Sequence, residues 1–243
     1  MSIPAATIVR VDGLDCAFEP RDWDFAREQA AAIDAHWAQA CAAKPGLFNG
    51  RILLMHHHAI AGMPDGTRQF RGGFMEVDYK AFLAWRDFGA PGVPLHNCFA
   101  MAALQAPDGA FLLGEMGAHT ANAGLVHFAA GTPDCSDIAG GKVDLAASAL
   151  RELREETGLT QDDITLDPGW IVVFDGPRIA CMKRCVLKAG AQAVLARIHR
   201  HLASEAEPEL LRMHLYRARG DIDAARLPRF MQAYLAAFEP GGL

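Results

Sequence analysis

The sequence predicts an α/β protein in two parts. Strand-like and helix-like runs follow one another along the chain, and the helix near residue 150 carries its own start and stop signals. Apolar residues make up 51% of the 243 positions, enough for one large or two small globular domains with ample core.

Taken in order, Thr7–Val11 reads as a strand. Residues 23–41 are alanine-rich, with Phe25, Ala32, Ile33 and Trp37 apolar, and read as one helix that Lys44-Pro45-Gly46 stops. Arg51–Gly62 and residues 68–77 read as two strands joined by a turn at Pro64-Asp65-Gly66. A short helix over 78–88 then meets Gly89-Ala-Pro-Gly-Val-Pro94, the best boundary in the chain. This places an N-terminal α+β subdomain at residues 1–91 and a second domain at 92–243. In the second part, residues 111–115, 124–128 and Leu210–Tyr216 are strand-like, the last preceded by the acidic run Ser204-Glu-Ala-Glu-Pro-Glu209.

Composition narrows the function. A formal charge of −6 argues against a general nucleic-acid binder. No run reaches the ~18 apolar residues of a membrane span, and the first ten residues lack the basic stretch and long apolar run of a secretion signal. Six scattered cysteines read as reduced thiols, so a cytoplasmic protein is expected, with Cys181 and Cys185 as small buried residues of one strand face. A homodimer stays open.

Residues 151–159, Arg-Glu-Leu-Arg-Glu-Glu-Thr-Gly-Leu, are the most informative stretch. Alanines and leucines upstream favour helix, Asp144 suits the N-cap, and Gly158 suits a left-handed C-terminal position. On that helix Glu152, Glu155 and Glu156 stand at i, i+3 and i+4, so three carboxylates leave one face within about 6 Å along the axis. Like charges that close resist ionisation. A hard divalent cation relieves the repulsion, because Mg²⁺ prefers carboxylate oxygens and keeps positions for water and substrate phosphates. The plainer reading is a solvated helix face whose glutamates pair with Arg151 and Arg154.

The same nine residues resemble the second half of the Nudix signature, Gly-x5-Glu-x7-Arg-Glu-U-x-Glu-Glu-x-Gly-U, with U a bulky aliphatic. Gly131-Thr-Pro-Asp-Cys-Ser-Asp137 resembles its first half, with aspartate at the usual glutamate position. One departure is plain: thirteen residues, 138–150, separate Asp137 from Arg151 where the signature has seven. Residues 138–143, with Gly140-Gly141, are read as a loop insertion, which a chain tolerates at little entropic cost. The resemblance covers roughly residue 92 to the end. It implies a Nudix fold, a mixed β-sheet sandwiched between helices, and a Mg²⁺- or Mn²⁺-dependent hydrolase of a nucleoside diphosphate derivative. Carried over by position, Glu152, Glu155 and Glu156 would be metal ligands, joined by backbone carbonyls around Ala130 and Gly131. Arg151 would orient one of the glutamates.

A carboxylate must take the attacking water's proton. Glu152 could serve, or an acid of the 204–209 run, with Glu209 slightly favoured over Glu205 and Glu207. Trp37, Pro45-Gly-Leu-Phe-Asn-Gly50 and Asp78-Tyr-Lys-Ala-Phe-Leu-Ala-Trp-Arg-Asp87 are similar to the Nudix branch acting on UDP-glucose and UDP-galactose. That likeness makes an NDP-sugar the lead substrate, giving a nucleoside monophosphate and a sugar 1-phosphate. ADP-ribose, dinucleotides, coenzyme A and modified nucleoside triphosphates stand behind it.

Two rivals from other classes are a non-catalytic Nudix-fold nucleotide sensor and a prenyl diphosphate isomerase. His119 and Asn122, in the loop before the 124–128 run, and Arg86 are candidate substrate contacts, while Trp85 reads as core. His56-His57-His58 cannot all converge on one metal if strand alternation holds. Residues 197–201 read as a solvated helix face.

Overall fold

The computed structural model describes residues 6–239; residues 1–5 of the stretch read for a secretion signal lie outside them. The strands are β1 (Thr7–Val11), β2 (Gly13–Phe18), β3 (Arg51–Gly62), β4 (Arg68–Asp78), β5 (Asn97–Gln105), β6 (Phe111–Met116) and β7 (Val126–His127). They continue as β8 (Ile138–Ala139), β9 (Lys142–Val143), β10 (Ile164–Leu166), β11 (Trp170–Asp175), β12 (Arg178–Leu187) and β13 (Leu210–Tyr216). The helices are α1 (Asp24–Glu28), α2 (Ala30–Ala43), α3 (Tyr79–Asp87), α4 (Leu145–Thr157), α5 (Ala191–Ser204) and α6 (Arg229–Ala236).

The expected α/β class is observed, with two mixed sheets. The larger runs β1-β11-β12-β5-β6-β13, with β10 beside β12 and β7 beside β6. Among the described residues, its β12–β5 pair is parallel and its other pairs are antiparallel. β5 is central and apolar on both faces, as a strand covered on two sides must be. Its odd residues Phe99, Met101 and Ala103 pack with Phe230, Met231 and Tyr234 of α6. Its even residues face the other way: Ala102 and Leu104 join Leu153 of α4 and Ile198 of α5, while Cys98 and Ala100 join Ala149 of α4. The sheet is thus sandwiched between helices. Leu153 is fully buried here, and truncating it to alanine would cost about 2–5 kcal/mol.

The smaller sheet runs β3-β4-β2-β9-β8. Two exchanges cross the expected 91/92 boundary. β1 lies in the larger sheet beside β11, and the β8–β9 hairpin joins the smaller one where Lys142 faces Ala17. Leu53, Met55, Phe70 and Phe74 share one apolar cluster with Cys98, Ala100 and Cys181 of the larger sheet. Cys181 and Cys185 are both buried on β12, as expected.

Three expectations are corrected. The helix read over 23–41 is two, because Gln29 leaves the helical conformation. Trp23 and Phe25 pack against Trp85 and Phe88, and this packing overrides the helical preference of the alanine-rich run. The strand read over 124–128 shrinks to Val126–His127, since Gly124 adopts positive φ in a turn. The segment 138–143 is a paired hairpin rather than an unstructured loop: Ile138 faces Val143, and Gly140 and Gly141 take φ 57° and 77° at its tip. Side chains with a Cβ enter that region at a cost, which is why two glycines stand there.

Candidate active site

α4 forms as its sequence dictates. The Asp144 carboxylate accepts from the amides of Ala146 and Ala147 at 3.1 and 2.9 Å, and Gly158 ends the helix at φ 68°. Its apolar stripe faces the sheet, which turns the glutamate face toward residues 130–131 and the loop after α5. Glu156 is 5% exposed, the Glu152 side chain 13% and that of Glu155 51%.

Each glutamate has a distinct holder. Glu156 Oε1 accepts from the Ala130 amide at 2.9 Å, while its buried Oε2 has no hydrogen-bond partner among the described residues. Glu152 packs over Gly131 so closely that a Cβ at position 131 would overlap its Oε1. Arg151 donates to Glu152 Oε1 at 2.7 Å and to Glu155 Oε2 at 3.4 Å, and its other nitrogen reaches both Asp137 oxygens at 3.2 and 3.1 Å. Arg151 therefore orients two glutamates and anchors to a buried aspartate.

The thirteen-residue spacing costs nothing in geometry, and the hairpin explains why. The Asp144 amide donates to the Asp137 carbonyl at 2.8 Å, so the inserted segment leaves and returns at one place. Asp137 consequently reaches Arg151 across the gap.

Glu205, Glu207 and Glu209 face these residues across a cavity of about 200 Å³ lined also by Glu152, Glu155, Glu156 and Leu202. The Gly117 amide fixes the loop by donating to the Glu209 carbonyl at 2.7 Å. Burial, reinforced by Glu155 and Glu209, pushes the Glu152 carboxyl up to about 7. Burial also drives Glu156 well above the carboxylate range, with Glu152 and Glu209 adding to it. Glu209 thus acts electrostatically on both buried glutamates.

Among the described residues, no three carboxylates of this cavity bring ligand atoms within 4.8 Å of one another; a different group does. The α4 glutamates have separate holders, the Ala130 amide for Glu156 and Arg151 for Glu152 and Glu155.

A second cleft, about 500 Å³, meets the acidic cavity at Gly131, which lines the cleft while lying against Glu152. Arg86 and Asn122 line it, as does Trp85, although Trp85 is 1% exposed and bonded to the Pro91 carbonyl. His119 does not line it; its ring lies over Gly117, beside the Glu209 carbonyl. Sequence reasoning missed Arg178, Asn97, Phe99 and Phe230, which also line this cleft. Arg178 lies 5.5 Å from the Phe230 ring centre. No local pattern marks these four, because three separate segments deliver them. The face read as solvated at 197–201 is only partly so. Ile198 is buried, Arg197 pairs with Asp163, and His201 meets the Glu155 carbonyl at 3.0 Å.

No family model matches this chain, and no curated protein does either. Solved structures give partial likenesses. One is a Nudix hydrolase from M. smegmatis, RenU: 13% identity over 56% of this chain and 79% of that one, with a TM-score of 0.35. Another is a mutant form of the Bacillus subtilis pyrophosphohydrolase BsRppH: 14% identity over 53% of this chain and 67% of that one, with a TM-score of 0.30. Likenesses at these scores carry no argument. Among the described residues, no helix is long and apolar enough to cross a membrane.

Proposed function

We infer that this chain is a metal-dependent pyrophosphohydrolase of the Nudix type, acting on a nucleoside diphosphate derivative. One observation carries the reading: six carboxylates line a cavity of about 200 Å³ where Arg151 is the one cation bound to any α4 glutamate among the described residues, and it is shared with Asp137. The donor set suits a hard divalent ion such as Mg²⁺ or Mn²⁺, and the unpartnered Glu156 Oε2 offers a ligand atom. Glu152, Glu155 and Glu156 would hold it, with the backbone at Gly131. When bound, such an ion neutralises the diphosphate and lowers the pKa of a coordinated water.

The chain's own groups supply the rest. Arg151 fixes Glu152 and Glu155, and Glu209, on the facing loop, accepts the proton of the attacking water. Oxygen from water bonds to one phosphorus, the bridging P–O bond breaks, and a nucleoside monophosphate leaves with a phosphorylated partner. The adjoining cleft receives the nucleotide, with Arg86, Arg178 and Asn122 for polar contact and Phe99 and Phe230 as apolar walls; its volume suits a small-molecule site. His119, outside the cleft, serves the Glu209 side.

An NDP-sugar is the lead substrate, and ADP-ribose, dinucleotides, coenzyme A and modified nucleoside triphosphates are the alternatives. A sensor would bind nucleotide and leave it intact. Among the described residues neither cavity is lined by a cysteine, so the isomerase reading gains no cysteine proton donor. A panel of nucleoside diphosphate derivatives, incubated with Mg²⁺ or Mn²⁺ in ¹⁸O-labelled water, tests the proposal. Release of a nucleoside monophosphate and a phosphorylated partner, one of the two carrying the label, that disappears with EDTA is the expected result; tight binding of intact nucleotide with no turnover on any member would overturn it.

A further inference from the structure

The histidine triplet does not obey strict strand alternation. The β3–β4 register slips between Met55 and His57, so Met55 faces Phe74 and His57 faces Gly73 while His56 is left out of the ladder. A bulge of this kind re-aims side chains. His58 keeps to the apolar side, against Phe70 and Phe174. His56 and His57 both turn to Glu19, in the segment after β2.

The group is tight. His57 Nε2 lies 2.9 Å from Glu19 Oε2, and His56 Nε2 lies 3.4 Å from the same oxygen. Among the described residues, this is the group whose three ligand atoms all fall within 4.8 Å. Tetrahedral zinc, with bonds of about 2.0–2.1 Å, needs ligand atoms roughly 3.3 Å apart.

Two independent features point to a ligand. The His56 side chain is 7% exposed, and among the described residues its buried Nε2, 3.4 Å from Glu19 Oε2, makes no well-aligned hydrogen bond. Gly73 lies beneath the cluster, where any Cβ would overlap both Glu19 Oε2 and His57 Nε2. The absence of a side chain at 73 is what lets the three groups close over the strand.

We propose that Glu19, His56 and His57 form a binding site for a borderline divalent transition ion of the zinc type. Two imidazoles and one carboxylate select such an ion over Mg²⁺, because imidazole nitrogen suits zinc, nickel and copper. Three protein ligands leave a fourth position, and Glu19 and His57, with side chains 44% and 55% exposed, give it access to solvent. Arg21 Nη1 stands 3.3 Å from His56 Nδ1; a metal on Nε2 requires the hydrogen on Nδ1, so this guanidinium turns away on loading. The ion would tie the segment leading to α1 onto the β3–β4 hairpin. The site is separate from the acidic cavity.

The test is a zinc titration of the full chain after chelator treatment and dialysis, in excess Mg²⁺ to occupy the α4 glutamates, on a Cys41→Ser/Cys135→Ser background. Calorimetry gives the stoichiometry, and cobalt substitution reports tetrahedral geometry through its visible bands. About one equivalent should bind. His57→Ala and Glu19→Gln, both at exposed positions, should weaken binding at least ~100-fold with the circular dichroism spectrum unchanged, since even outer-shell losses cost 10–100-fold. Glu155→Gln should bind zinc as the parent does. No zinc uptake in excess Mg²⁺, or equal uptake by the parent and the His57→Ala chain, overturns the proposal.

Discussion

Two buried carboxylates on the same scaffold meet opposite fates. Glu115 on β6 receives Arg212 at 2.6 Å, His214 at 2.8 Å and Arg226 at 2.7 Å, all on Oε2. Burial alone would raise its pKa, but the hydrogen bonds of these three groups hold it at about 2. Glu152 on α4 has part of one guanidinium and faces other carboxylates, and its pKa rises to about 7. The first site is complete without a ligand. The second gathers carboxylates that the fold does not balance, and the proposed cation would balance them.

Removing charge at each site should separate the two roles. The largest effect is on catalysis: Glu152→Gln should lower turnover about 10²–10³-fold, and Glu155→Gln at least ~10²-fold, as loss of one electrostatic stabiliser does. Both should keep the fold, which steady-state kinetics beside a thermal melt will check. Near-normal turnover in either would sink the metal role.

Glu115→Gln should do the reverse. Two arginines and a histidine lose their common partner, and since they are partly exposed the cost sits near the lower end for a broken buried pair, about 3 kcal/mol. Urea unfolding at neutral pH measures this. Because the folded pKa of Glu115 is depressed, its contribution is present above about 4.5 and fades as pH falls toward about 2. Parent and variant should therefore converge in acid.

The pH response of the acidic cavity has the opposite sign. Glu152 binds its proton more tightly folded than unfolded, so in EDTA its contribution to stability should be lost as pH rises from about 4.5 to about 7. Glu156, also raised, adds to the same trend. Melting curves across that range should show the loss, and saturating Mg²⁺ should reverse it. A flat profile in EDTA would remove the strained-carboxylate account.

The smallest effect tests the helix end between the two sites. His201→Ala removes the bond to the Glu155 carbonyl, and the expected loss is about 1 kcal/mol by urea unfolding, with turnover little changed.

Local signals were enough for α4. Asp144, the leucine stripe and Gly158 fix the ends and face of that helix through backbone capping and periodicity, so the shared face of Glu152, Glu155 and Glu156 was readable without coordinates. β3 and β13 were read to their ends for the same reason. The cleft residues Asn97, Phe99, Arg178 and Phe230 were not readable, since three distant segments bring them together.

By itself, then, the sequence determined what depends on neighbours along the chain: the acidic turn and its caps. Only the tertiary structure decided that Asp137 meets Arg151 across a hairpin, that Glu209 faces Glu152, and that a bulge points two histidines at Glu19. These are long-range contacts, set by strand exchange between two sheets and by burial, and a charge acquires its pKa only from what surrounds it in space.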